Sequence, residues 1–79
     1  MKKVINFETS KGRVFLPINN IEFIEIHELP ATRSDEETKY LPVFILKNGK
    51  ELREFGTYHD KENLCKKIER LFETGEWLD

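Results

Sequence analysis

With 79 residues, the chain is predicted to form a single domain, 1–79, whose thin core leaves little room for a deep pocket. Its 13 basic and 15 acidic side chains give a net charge of −2, which argues against nucleic acid as a partner because phosphate neutralisation supplies most of that affinity. The single cysteine excludes an intramolecular disulfide and every zinc site that needs several cysteines, so we expect a reduced thiol in a reducing compartment.

The N-terminal part of the chain is rich in β-branched and aromatic residues and predicts three strands at about 3–9, 13–17 and 21–29. Gly12 suits the positive φ of the first turn. The first apolar run ends at Asn6, too soon for a secretory signal, and no stretch is long enough to span a membrane. We therefore expect a cytoplasmic protein with no membrane partner.

The third strand contains one irregularity in its alternating pattern. Ile24 and Ile26 share one face, whereas Ile21 has the parity of Phe23 on the other. We expect Ile21 to lie in the preceding turn, or at a β-bulge that swings it inward.

The middle of the chain predicts a loop followed by a hairpin. Residues 30–41 are polar and show no period, so they are interpreted as a loop. Asn48-Gly49 separates strands at about 42–47 and 50–55, and this dipeptide favours a two-residue type I′ turn. All five strands are expected to form one antiparallel sheet, either open or curled into a half barrel.

The C-terminal part predicts an amphipathic helix over about 60–74, which makes the fold class α+β. Thr57 or Asp60 is the expected N-cap, and Gly75 suits the left-handed residue that follows a helix. Trp77 and Leu78 would then fold back over an open edge of the core. The apolar stripe of this helix follows the 3.6-residue period and comprises Leu64, Ile68, Leu71 and Phe72.

The residues able to support catalysis do not fall into a catalytic pattern. A Cys65 nucleophile would need a base within about 3 Å, yet His59 lies one and a half helical turns away, on the other side of the helix. A metal-assisted hydrolase would need His27 and His59 to converge with carboxylates. Because the chain also lacks a phosphate-binding glycine loop and a serine nucleophile elbow, we expect a protein that is not an enzyme and binds no metal or cofactor.

The strands carry apolar residues on both faces, and one helix can cover only one face of a sheet. The second face must be closed by curvature or covered by another molecule, most simply a second copy in a homodimer. The sequence leaves a small-molecule ligand undetermined. The candidate interface residues are Phe7, Phe15, Phe23, Phe44, Leu46 and Phe55.

The loop 30–40 offers a second candidate surface, because it combines acidic residues with an aromatic anchor and would suit a basic partner. It is equally interpreted as an insertion without a role. Its candidate partner-binding residues are Arg33, Asp35, Glu36, Glu37 and Tyr40.

A family resemblance rests on the entry to the last helix, where Gly56, Tyr58, Asp60 and Glu62 follow a hairpin. This arrangement resembles small uncharacterised proteins of Gram-positive bacteria and their phages. The strand-then-helix layout is similar to half of a bacterial pleckstrin-homology-like domain, and the asparagine-rich turn and hairpin are similar to the flagellar protein FlbD. These families supply no catalytic residues to transfer. The thin core, the absence of site motifs and the apolar residues on both sheet faces lead us to expect a non-catalytic binding module, and the alternative is a phage or mobile-element regulator that uses its acidic loop to bind a basic partner.

Overall fold

The computed structural model describes residues 3–33 and 37–77, and in these residues the chain has an α+β fold of antiparallel strands and one C-terminal helix. A short 3₁₀ turn, Ile18–Asn20, separates the second strand from the third. The elements are β1 (Val4–Thr9), β2 (Gly12–Pro17), β3 (Ile21–Leu29), β4 (Lys39–Leu46), β5 (Glu51–Arg53) and α1 (Lys61–Thr74).

The five described strands form two sheets, a β1–β2 hairpin and a sheet ordered β3-β4-β5. The prediction of one five-stranded sheet is therefore wrong, and the sheets are not closed into a barrel. A 3₁₀ turn lies between β2 and β3, which do not pair, and β5 ends at Arg53 without forming a ladder with β1. Among the described backbone groups, one hydrogen bond links the sheets, from the Phe55 N–H to the Glu8 carbonyl at 2.7 Å.

The β4–β5 hairpin was predicted at the right place, but its predicted turn type is wrong. A type I′ turn needs positive φ at both central residues, whereas only Gly49 has it, at 85°. The Gly49 N–H donates to the Leu46 carbonyl at 2.8 Å, and the Leu46 N–H donates to the Lys50 carbonyl at 2.9 Å. The loop therefore has three residues and ends in a left-handed glycine, which is the next most common hairpin connection.

Strand β4 begins at Lys39, whereas the predicted start was residue 42. The loop before it is therefore shorter than the predicted range 30–41. The early start is explained by Tyr40, which exchanges two backbone hydrogen bonds with Tyr58, both 2.8 Å long. At the start of β3, the register shifts between Ile21 and Phe23, and Ile21 is buried. The β-bulge that was expected to turn Ile21 inward is thus confirmed.

The core lies between the facing sides of the two sheets and is completed by α1. Phe7 from β1 stacks on Phe44 from β4 with ring centroids 4.7 Å apart. Trp77 packs edge-on against Phe44 at 5.2 Å, which confirms that it folds back onto the core, whereas Leu78 lies outside the described residues. Leu64 and Leu71 bury the inner face of the helix.

The ends of α1 follow the local sequence. Asp60 is the N-cap, and its carboxylate accepts hydrogen bonds from the backbone N–H groups of Glu62 and Asn63. Gly75 is left-handed, with φ at 79°, and its N–H donates to the Leu71 carbonyl. Phe72 was expected in the apolar stripe but is 54% exposed, because it lies about 80° around the helix from Leu64.

Candidate functional site

The side of the β3–β4–β5 sheet that points away from the core is called the outer face below. Phe44 is fully buried in the core, so alternation along β4 turns its neighbours Val43 and Ile45 to the opposite side. The register places Phe23 beside Ile45 on that side. The apolar residues of the outer face are Phe23, Leu29, Leu41, Val43 and Ile45.

The apolar residues of the outer face are only partly covered. Phe23 is 47% exposed and Leu29 is 42% exposed, while Leu41 and Ile45 are half-buried. Val43 is fully buried although it does not belong to the core cluster, because it lies on the central strand between flanking side chains. The outer face therefore has an apolar centre along β4 with exposed aromatic and aliphatic groups beside it.

Two pairs of polar side chains flank this apolar centre, one on each neighbouring strand. On β3, His27 Nε2 lies 2.9 Å from Glu25 Oε1. On β5, Arg53 Nη2 lies 3.1 Å from Glu51 Oε2. All four side chains alternate onto the outer face, so the apolar strip is bordered by charge on both sides.

The candidate interface residues from the sequence are dispersed by the fold. Phe7 and Phe44 fill the core, so their assignment to an interface is wrong: they stack on each other where the two sheets meet. Leu46 is half-buried and packs against the same core. Of the exposed members of that set, Phe23 lies on the outer face.

Phe15 and Phe55 are exposed elsewhere, by 68% and 71%. Phe15 lies on the side of the β1–β2 hairpin that faces away from the core, on the same side as Val4 and Pro17. Phe55 follows β5 at the junction of the two sheets. These residues do not join the outer face into one patch.

Sequence reasoning missed Leu41, Val43 and Ile45 as residues of the outer face. The alternation of β4 showed that Val43 and Ile45 oppose Phe44, but both sides of the strand are apolar and no local signal identifies the inward side. Leu41 was missed because it fell in the predicted loop.

The candidate partner loop is only partly described. Asp35 and Glu36 lie outside the described residues. Arg33 and Glu37 are exposed, and Glu37 lies 3.5 Å from His59 Nδ1. Tyr40 was expected as the aromatic anchor of the loop, but it belongs to β4 and is half-buried against the core.

A second cluster, called the aromatic clamp below, consists of Glu54, Tyr58, Lys67 and Trp77. Lys67 Nζ lies 4.3 Å from the centroid of the Trp77 ring and 5.0 Å from the centroid of the Tyr58 ring. Its ammonium donates to the Tyr58 hydroxyl at 2.7 Å, which in turn donates to Glu54 at 2.7 Å. The Trp77 indole N–H donates to Glu54 Oε1 at 3.1 Å. Because these groups satisfy one another, the clamp fastens Trp77 over the core.

The histidines and the cysteine are separated into different surroundings. His27 pairs with Glu25 on the outer face, His59 pairs with Glu37, and Cys65 is half-buried on α1. Residues 3–33 and 37–77 contain no group of three or more histidine, cysteine or carboxylate side chains placed to hold a metal ion. Over the same residues, α1 is too short and too polar to cross a membrane.

Comparison with protein-family models, with curated proteins and with solved structures finds no match to this chain. The resemblance to pleckstrin-homology-like domains and to FlbD therefore stays a prediction. The geometry of the outer face is the observation that bears on function.

Proposed function

We propose that this protein is a non-catalytic interaction module that binds a protein partner through the outer face of its β3–β4–β5 sheet. The observation that carries the proposal is an apolar outer face that the described residues cover only in part: Phe23 and Leu29 are exposed on β3, and charged side chains border β4 on both sides. Protein interfaces have this arrangement, with an apolar centre and a polar rim.

The exposed apolar side chains of the outer face would stabilise a complex that buried them. A large aliphatic or aromatic side chain contributes about 1.5–3 kcal/mol when it moves from full exposure to full burial. Phe23 and Leu29 are roughly half exposed, and Leu41 and Ile45 are half-buried. A partner that covered these four would gain a fraction of that energy from each, which supports binding at this face.

The outer side of the β1–β2 hairpin is the competing surface, since it exposes Phe15 and Val4. It is smaller, and its remaining positions are occupied by Asn6, Glu8 and Arg13, of which Arg13 and Glu8 form an ion pair at 2.9 Å. The outer face of the larger sheet has more contiguous apolar residues, so we favour it.

The test is affinity capture from an extract of cells that make the protein, compared across variants by quantitative mass spectrometry. We expect the wild-type chain to retain a partner, and Leu41→Lys and Ile45→Lys to lose it. Phe15→Lys, which adds the same charge on the other sheet, is the matched control and should retain it. Circular dichroism checks that each variant is folded.

A partner that is retained by Leu41→Lys and Ile45→Lys but lost by Phe15→Lys would refute the proposed face. A wild-type chain that retains the same proteins as all three variants would refute the proposal as a whole.

A further inference from the structure

Strand β3 is an edge strand whose outward backbone groups can be identified from the pairing of β4. Tyr40 exchanges both of its backbone hydrogen bonds with Tyr58, on the β5 side of β4. In an antiparallel ladder these directions alternate, so Leu41, Val43 and Ile45 bond to β3 instead. Their partners in β3 are His27, Glu25 and Phe23. The N–H and C=O groups of the alternate residues therefore point away from the sheet, and these residues are Ile24, Ile26 and Glu28.

That edge is open along much of its length. β3 has nine residues, and no backbone hydrogen bond from elsewhere in the described chain reaches residues 22–28 on this side. An uncovered row of backbone donors and acceptors is a template for a further strand. The side chains beside it decide which strand fits.

We propose that a second copy of this chain pairs antiparallel with β3, on a two-fold axis that passes beside Ile26. In this register Glu25 lies opposite His27 of the second copy, and Phe23 lies opposite Leu29 of the second copy. Each pair occurs twice because the axis exchanges the two chains. At every outer-face position from 23 to 29, a glutamate therefore lies opposite a histidine, or an apolar side chain lies opposite another. Cross-strand pairs of these two kinds stabilise antiparallel strands.

The neighbouring registers lack this complementarity. An axis beside Glu25 would put the two Glu25 carboxylates opposite each other, and such like-charge pairs are destabilising. An axis beside His27 would place Glu25 opposite Leu29 of the second copy. An axis beside Ile24 would place Glu25 opposite Phe23 of the second copy. On the inner face, the proposed register brings Ile26 against Ile26 of the second copy.

The partly exposed residues of β3 acquire a role in this arrangement. Phe23 and Leu29, at opposite ends of the strand, are 47% and 42% exposed. In the pair they cover each other across the two-fold axis. The inference rests on the proposed function, because joining two β3 strands merges two outer faces into one continuous surface of six strands.

Disulfide trapping tests the register directly. Residues that pair with themselves across the axis have Cα atoms about 5.5 Å apart, within disulfide range. In a Cys65→Ser background, Ile26→Cys should therefore form a cross-linked dimer on mild oxidation. Ile24→Cys is the matched control, since Ile24 is also half-buried on the inner face but would lie more than about 10 Å from its copy. Failure of Ile26→Cys to cross-link, or equal cross-linking of Ile24→Cys, would overturn the register.

A charge exchange tests the pairing without a new covalent bond. His27→Glu should weaken the dimer at least about tenfold by sedimentation equilibrium, because it sets carboxylate against carboxylate in both symmetric pairs. The double variant Glu25→His with His27→Glu should restore the dimer. Arg53→Glu breaks the equivalent ion pair on β5, away from the edge, and should leave the dimer unchanged. Loss of the dimer in Arg53→Glu, or no rescue by the exchange, would contradict the inference.

These results separate the two proposals. A missing Ile26→Cys cross-link together with partner loss in Leu41→Lys overturns the edge pairing and leaves the proposed function intact. A specific cross-link together with unchanged capture by Leu41→Lys supports the pairing and removes the proposed binding face.

Discussion

The aromatic clamp makes a quantitative prediction about stability through the substitution Lys67→Met. The substitution keeps an unbranched side chain on α1 but removes the ammonium that lies 4.3 Å from the Trp77 ring and 5.0 Å from the Tyr58 ring. It also removes the donor of the 2.7 Å hydrogen bond to the Tyr58 hydroxyl.

The magnitude follows from these contacts. A cation over an aromatic ring contributes about 0.5–2 kcal/mol depending on its desolvation, and a hydrogen bond contributes about 1 kcal/mol net. Methionine recovers part of this by packing its side chain on the rings. We therefore expect Lys67→Met to lower the free energy of unfolding by about 1–2 kcal/mol. A chain of 79 residues has a total of about 4–12 kcal/mol, so the loss is readily measured.

The assay is urea-induced unfolding followed by tryptophan fluorescence, which reports on the clamp because Trp77 is the single tryptophan of the chain. The slope of the unfolding free energy against urea should be unchanged, and the midpoint should fall. Lys66→Met is the matched control, because Lys66 is the exposed neighbour on the same helix and should change stability by less than about 0.5 kcal/mol. Equal stability of the two variants would refute the account of the clamp.

Three further substitutions test the fold. Asp60→Ala removes the acceptor of two helix N-terminal N–H groups and should cost about 1 kcal/mol in urea unfolding, whereas Asp60→Asn should cost less; equal losses would contradict the capping role. Gly75→Ala should lower the free energy of unfolding by about 1–2 kcal/mol, because the φ of 79° at this position is left-handed and the new Cβ would lie 3.2 Å from the Ile18 side chain. A thermal midpoint equal to that of the wild type would contradict this. Phe44→Ala should cost about 3–5 kcal/mol and Ile45→Ala far less, because they lie on opposite faces of β4; a reversed order would mean that the inner and outer faces are misassigned.

The sequence predicted the features that depend on nearby residues. Asp60 and Gly75 bound α1 because capping is decided within a few residues of each end. Ile21 broke the period of two locally, and the bulge followed from that break. Asn48-Gly49 identified the hairpin, although the left-handed conformation is adopted by Gly49 alone.

The features that the sequence did not predict depend on contacts between distant residues. Phe44 and Val43 are adjacent and both apolar, and the inward side is decided by Phe7 and Trp77, far away in the chain. The chain forms two sheets, and β5 ends at Arg53, which no residue type in 50–55 indicates. The aromatic clamp likewise joins Glu54, Lys67 and Trp77, whose side chains meet only after the core has formed.

Photo-crosslinking in living cells tests the central claim most directly, because it reports which face of β4 another protein touches. A photoreactive amino acid would replace Leu41 or Ile45 on the outer face, and Phe15 on the other sheet as the comparison. The account predicts cross-linked products from positions 41 and 45 and none from position 15. Products from position 15 alone, with positions 41 and 45 silent, would contradict it.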